Sequence, residues 1–333
     1  MSFSKHLVLC AATLLLSPVV FVRAQATSPL LLVLDKNDNA LETIEVTTGK
    51  VVGKVPTGDG PHEVVATPDG KVAFASNYGA SGPGNSISMI DLVAQKEIRR
   101  IDTTPIRRPH GLGVADGKLY FTAELNRLIA RYDPATDKID WLLGTGQTTT
   151  HMLYLANNAS RIFTANIGGN SIAIFDRSAN GQNWSETVVP VGQGPEGFDV
   201  SPDGTMVWAA HSVAADGGVS VIDVASRKVV ATIDAKTKRS NRLKFTPDGK
   251  HVLISDYDAG DILVLDVATR TVMRRIPVGG GPLGVLMPPS GGRAYVALNN
   301  ASTVAAIDLT SFEVVRKIPT GGGPDGMAWV EKR

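Results

Sequence analysis

The chain has 333 residues, with 33 Lys and Arg against 32 Asp and Glu, so its formal net charge is +1. A charge this near zero gives no bulk electrostatic pull toward nucleic acid or an anionic membrane, and neither is expected as a partner. The one cysteine, Cys10, lies in the leading apolar segment, so the remainder has neither disulfide nor thiol chemistry.

Residues 1–24 are expected to be a cleaved signal peptide. Lys5 supplies a basic start, LVLCAATLLLSPVVFV is an apolar run, and Val22-Arg23-Ala24 offers a cleavage site after Ala24. A transmembrane anchor is the alternative, but the run is short and broken by Ser17-Pro18. Cleavage removes Lys5 and Arg23 and no acid, which shifts the net charge from +1 to −1. The mature chain, 25–333, is then expected in the periplasm or secreted, with no membrane span and as a monomer.

From residue 30 onward the sequence repeats itself at a spacing of 41 to 48 residues. Such periods point to propellers or solenoids. Residues 30–58 supply three strand-like runs: LLLVLD, LETIE and GKVVGKV. Six fuller units follow between Gly60 and Gly322, each with an opening apolar strand, a hairpin turn and a second apolar strand such as KVAFAS, KLYFTA or HVLIS. The turns read TPDGK at 67–71, ADGK at 115–118, SPDGT at 201–205 and TPDGK at 246–250. Proline presets φ in such turns and glycine accepts the positive φ. A third run ends in an acid, as in SISMID, SIAIFD and DILVLD, and a polar turn leads to the fourth.

Four strands per repeat, tight turns and no helical stretch describe a β-propeller blade. The last residues, GPDGMAWVEKR at 323–333, form an opening strand with nothing after it. They complete the unit begun by 30–58, so the expected fold is all-β: a seven-bladed propeller of four antiparallel strands per blade. The seventh blade is a composite of 30–58 and 323–333, and pairing the two chain ends removes an exposed edge.

The repeats resemble the YVTN β-propeller family, including the YncE-like periplasmic and secreted proteins. The resemblance rests on the VPTGxGP linker, the PDGK turn, an apolar strand ending in Ala, Ser or Thr then Asn, and a strand reading x-I/V-x-I/V-I-D. It covers nearly all of 30–333 and implies the fold, not a reaction.

A repeat separates scaffold from chemistry: what recurs in every blade is structural, and what varies at a fixed place is particular. Asp91, Asp133, Asp176, Asp223, Asp266 and Asp308 end every complete third strand and are expected to accept hydrogen bonds from the following turn. Asn39, Asn85, Asn126 and Asn170 read the same way. Chain direction places the interblade linkers and the loops after the second strands on one face, around the channel mouth, where a ligand site is expected.

At the first residue of the opening strand the blades read His62, His110, His151, Glu196, Asn241, Leu283 and Asp325. The second-strand loops add Asn77, Tyr78, Glu124, Asn166, His211, Asp256, Tyr257 and Asn299 to that face. The candidate ligand-binding set is His62, Glu63, His110, His151, Glu196, His211, Asn241, Arg242, Asp256, Tyr257 and Asp325. Within it, His62, His110, His151 and Glu196 have donors suited to a divalent ion. Strand alternation argues otherwise: His62 shares a face with Val64, and His110 with Leu112, so each histidine would wedge between blades. The channel would then be lined by Glu63, Gly111, Met152, Gly197, Arg242, Gly284 and Gly326. Wedge, polar ligand ring and metal site stay open at this point.

A second cluster, Arg107, Arg108, Lys238, Arg239 and Arg242, offers guanidinium forks for an anion or a solvated rim. G-x-S-x-G, H-E-x-x-H, C-x-x-C-H and a phosphate loop are all missing from the sequence. The expected function is therefore a binding or scaffold module that takes a small molecule or protein on the top face. The alternative is a metal-assisted lyase or lactone hydrolase using the same mouth.

Overall fold

The computed structural model describes Met1 and residues 28–213 and 215–331. The expected signal peptide thus lies outside the described residues, apart from Met1. Among those described, twenty-eight strands form seven four-stranded antiparallel sheets, and the only helical element is one short turn, Asn299–Ala301. No helix among them is long and apolar enough to cross a membrane.

The sheets are the seven blades of a propeller. Blades 1 to 6 follow one another along the chain, beginning with the inner strands Pro61–Ala66, Pro109–Ala115, Thr150–Ala156, Pro195–Val200, Ser240–Phe245 and Pro282–Leu286. Blade 7 joins both ends: its inner strand Pro324–Val330 pairs with Leu30–Asp35, with Leu30 opposite Val330 and Val33 opposite Met327. The inner strands of blades 6, 7 and 1 touch in turn, which closes the ring.

Hydrophobic layers between neighbouring blades form the core. Leu32 and Leu34 of blade 7 pack with Ala73 and Ala75 of blade 1, while Trp208 of blade 4 packs with Leu243 and Ile254 of blade 5. Second and third strands are covered on both faces and read as almost unbroken apolar runs. Outer strands such as Lys138–Gly144 alternate exposed with partly buried residues, as a one-sided strand should.

The recurring polar residues hold the turns. Asp91 Oδ1 accepts the amides of Val93 and Ala94 at 2.8 Å, and Asp133, Asp223, Asp266 and Asp308 serve their turns likewise. Asp176 departs from this, because its longer loop leaves it paired with Arg161 and Arg227. Asn39, Asn126 and Asn170 accept linker amides from Gly60, Arg107 and Gly194, and Asn85 donates to Thr104. In the TPDGK turn, Asp69 accepts from Thr67 Oγ1 at 2.6 Å and Gly70 takes φ of +69°.

Candidate functional site at the channel mouth

The seven residues expected to open the inner strands stand second in them, and all seven line one cavity of about 290 Å³ at the mouth of the channel. A bulge puts them there. In blade 1, Pro61 stands opposite Asn77 but Val64 stands opposite Ala75, so the inner strand carries one extra residue. Blade 2 repeats this, with Pro109 opposite Ala123 and Leu112 opposite Phe121, and the other inner strands are irregular at the same place. A bulge re-aims the side chains beside it. Strict alternation is therefore interrupted at these positions, so the histidines line the mouth while still bearing on neighbouring blades, as His151 does by bonding Glu124 of blade 2.

The histidines meet one another. The His110 and His151 rings stack with centroids 3.7 Å apart, and His62 meets His110 edge-on at 5.4 Å. Tyr78 packs 4.4 Å from His62 and 5.2 Å from His110. His110 and His151 are buried. His62 Nδ1 bonds the Gly60 carbonyl at 2.8 Å, while desolvation lowers the ring to a pKa of about 4. Desolvation, reinforced by the neighbouring histidines, also holds His110 well below the usual histidine range. Both rings are therefore neutral near pH 7, with a lone pair on one nitrogen.

Glu124 orients the third ring. It follows the second strand of blade 2, is buried, and hydrogen-bonds His151 Nδ1 through Oε1. Tyr78 donates to its Oε2 at 2.6 Å, and Arg108 donates to the tyrosine oxygen at 2.9 Å. Burial alone would raise the Glu124 carboxyl, but His151, Tyr78 and Arg108 outweigh it and keep the group ionised. An ionised acceptor at Nδ1 holds a proton on that nitrogen and turns Nε2 to the cavity. His151 Nε2 is buried without a partner, as are His110 Nδ1 and Asp325 Oδ1.

Buried Arg242 reaches across the channel to Glu63 and donates to Asn241 Oδ1 at 3.1 Å. Its guanidinium lies 3.6 Å from Glu196, whose carboxylate accepts from Asn241. Desolvation disfavours the Arg242 charge, but Glu63, Asp325 and Glu196 more than restore it.

Not every expected residue reaches the cavity. Glu63 is not part of its lining and is engaged with Arg242. His211 instead bonds Ser220 at 2.9 Å and Asp216 at 3.1 Å within its own blade. Asp256 accepts the Lys238 and Arg239 amides at 2.9 Å, which is scaffold work. Asn77 and Asn166 are likewise absorbed by serine and backbone partners. The four glycines expected along the channel, Gly111, Gly197, Gly284 and Gly326, lie against the next inner strand, where an added Cβ would overlap backbone. Tyr257 does stand on the rim, under the Arg239 guanidinium at 4.6 Å. Lys36, which sequence reasoning passed over, lines the mouth and pairs with Asp325 at 3.2 Å. The signal for it was positional: Lys36, Tyr78, Glu124, Tyr257 and Asn299 all directly follow a second strand.

Fold and mouth together define a seven-bladed propeller with a recessed polar cavity at one end of its channel. The chain belongs to the YNCE-like beta-propeller family, whose model matches residues 7–332. No curated protein matches the sequence. Among solved structures, it is similar to a hydrazine synthase chain of Kuenenia stuttgartiensis, with 20% identity and a TM-score of 0.67 over 80% of this chain and 88% of that one. A functionally unknown protein from Desulfotomaculum acetoxidans superposes with a TM-score of 0.75 at 12% identity, over 92% of this chain and 100% of its own. A "putative 6-phosphogluconolactonase" from Bacteroides uniformis gives 0.74 at 14% identity, over 91% and 100%. At these identities the likeness is one of fold.

Proposed function

We propose that this protein is an extracytoplasmic binding module whose channel mouth takes a small, polar, charge-balanced molecule. The observation that carries the reading is the convergence of all seven variable inner-strand positions on one recessed cavity with three buried polar atoms left unpartnered. Buried polar groups ordinarily have partners, and a ligand supplies what the protein withholds. Charge balance follows from the pairing of the lining: Lys36 with Asp325, Arg242 with Glu196 and with Glu63 outside the cavity, Arg239 with Asp258, and neutral rings at His62 and His110. Export rests on the signal-like residues 1–24. Calorimetric screening of polar metabolites against the mature chain tests the reading, with Leu283→Trp as the blocking variant because it fills the mouth and removes no polar group. Saturable binding lost in that variant is expected; binding that survives it places the ligand elsewhere. Periplasmic material beginning at Gln25 by mass spectrometry is the expected result for export.

A second reading, lactone hydrolysis, is favoured by the Glu124–His151 pair. With Nδ1 held by the carboxylate, Nε2 faces the cavity in the position of a general base. It would take a proton from water as the water oxygen bonds the lactone carbonyl carbon, and return it to the alkoxide as the ring C–O bond breaks. Lactone turnover by the parent and its loss in His151→Gln is the expected pattern; an inactive parent removes this reading.

A further inference from the structure

We propose that this protein pairs with a second copy of itself through the outer strand of blade 3, Trp184–Pro190, which joins two blades into one continuous sheet. The inference is independent of the channel mouth and replaces the monomer expected from the sequence.

The outer strand of every blade is a sheet edge, and an edge left straight is a template for another strand. Blades 1, 2, 4, 5, 6 and 7 blunt theirs. In each, the register against the third strand slips by one residue, which leaves Val52, Ile98, Asp140, Val230, Met273 or Val315 unpaired. Each of these strands also carries a Lys or Arg. Bulges and basic side chains are ordinary guards against edge pairing. Blade 3 has neither. Its outer strand reads WSETVVP and pairs without a break, from Trp184 opposite Arg177 to Pro190 opposite Ser171.

Hydrogen bonds just past the two ends of this strand fix which groups face outward. Val191 N donates to Asn170 O at 2.9 Å, and Ser178 N donates to Asn183 O at 2.8 Å. Bonded and non-bonded pairs alternate along an antiparallel ladder. Ser185, Thr187 and Val189 therefore turn their backbone groups inward, while Trp184, Glu186 and Val188 turn theirs away from the sheet. Glu186 and Val188 are also exposed.

A second copy fits this edge best in one register. With a two-fold axis through Thr187, Glu186 and Val188 of one copy exchange backbone bonds with Val188 and Glu186 of the other. Trp184 then donates to Pro190, which has no N–H and need only accept. Shifting the axis to Glu186 sets that carboxylate against its own copy, which is unfavourable. Shifting it to Val188 carries Trp184 past the end of the strand. A self-complementary two-fold contact is the commonest form of oligomer. One pair of strands buries less than the ~1,200 Å² of a standard interface, so the dimer is weak and depends on concentration.

The test uses residues 25–333, which contain no cysteine. Sedimentation velocity from ~1 μM to ~1 mM spans weak affinities, and the mass should rise toward that of two chains. Val188→Pro removes an N–H that faces away from the sheet, so it should fold and stay monomeric throughout. Cross-linking reads the register. Thr187 meets its own copy in a non-bonded pair with Cα atoms ~4.5 Å apart, within reach of a disulfide. Thr187→Cys should therefore form a covalent dimer on oxidation, and Ser185→Cys, set opposite Val189, should not. Thermal melts confirm that each variant is folded; should Val188→Pro not fold, the two cysteine variants decide. A parent that stays monomeric over the whole range overturns the proposal. So does association indifferent to Val188→Pro, or cross-linking no greater at Thr187→Cys than at Ser185→Cys.

Discussion

Arg242 and Glu63, 179 residues apart in sequence and on blades 5 and 1, form an ion pair across the central channel. It ties together blades that share no sheet edge and lies beside the mouth, where Arg242 also approaches Glu196 at 3.6 Å. Breaking such a buried pair from one side costs more than replacing both members.

Arg242→Met should therefore lower stability by about 3 kcal/mol, because it leaves the partly buried carboxylates of Glu63 and Glu196 without their cation. The double change Arg242→Met with Glu63→Leu should recover most of that loss. Urea unfolding of the parent, the Arg242→Met and Glu63→Leu single variants and the double variant checks it, and equal losses in Arg242→Met and the double variant would show that the pair is not the source.

Asp35 gives a pH signature. Both of its carboxylate oxygens are buried without hydrogen bonds, Glu42 and Asp38 lie beside it, and Lys54 stands 3.6 Å away. Desolvation and Glu42 raise its pKa from 3.8 to about 7. The folded state then binds the proton more tightly than the unfolded one, so this contribution is full below pH 4 and lost as pH rises through 7. Stability relative to Asp35→Asn should fall across that window with a slope approaching ~1.4 kcal/mol per pH unit. Melts of the two proteins from pH 4 to 8 check it, parallel curves being the contrary result.

Gly326 sits where the inner strand of blade 7 passes that of blade 1, and a Cβ there would overlap the His62 carbonyl. Gly326→Ala should cost about 1–3 kcal/mol, since backbone on both sides resists displacement. Gly82→Ala, with open space around it, should stay within ~0.5 kcal/mol of the parent. Denaturant midpoints of the two variants measure the contrast.

A chain ending at Gly323 loses the whole inner strand of blade 7 and exposes the edge of Leu30–Asp35. It should not give a native monomer, because an open ring leaves both an unpaired edge and an uncovered blade face. Size-exclusion chromatography and a thermal melt report this. A truncated monomer melting cooperatively within a few degrees of the parent would mean that closure contributes little.

Much of this molecule was legible in its sequence. Repeats with PDGK turns and acid-ended third strands gave the blade, and the incomplete units at 30–58 and 323–333 gave the closure, because each signal is local and occurs several times. Position within the repeat also brought His62, His110, His151, Glu196, Asn241, Leu283 and Asp325 to one place. It did not separate His211 and Asp256 from them, since a second-strand end reads alike whether its side chain turns to the mouth or caps a linker.

What the sequence determined by itself was the architecture and the face, since strand period and turn chemistry act over a few residues and the repeat copies them round the ring. Tertiary structure alone decided which way the histidines point. The bulge that turns them into the mouth is one unpaired residue against a neighbouring strand. A two-residue alternation cannot register such a shift. The Glu124–His151 bond and the Arg242–Glu63 pair likewise join residues of different blades, at distances set by ring closure and not by spacing along the chain.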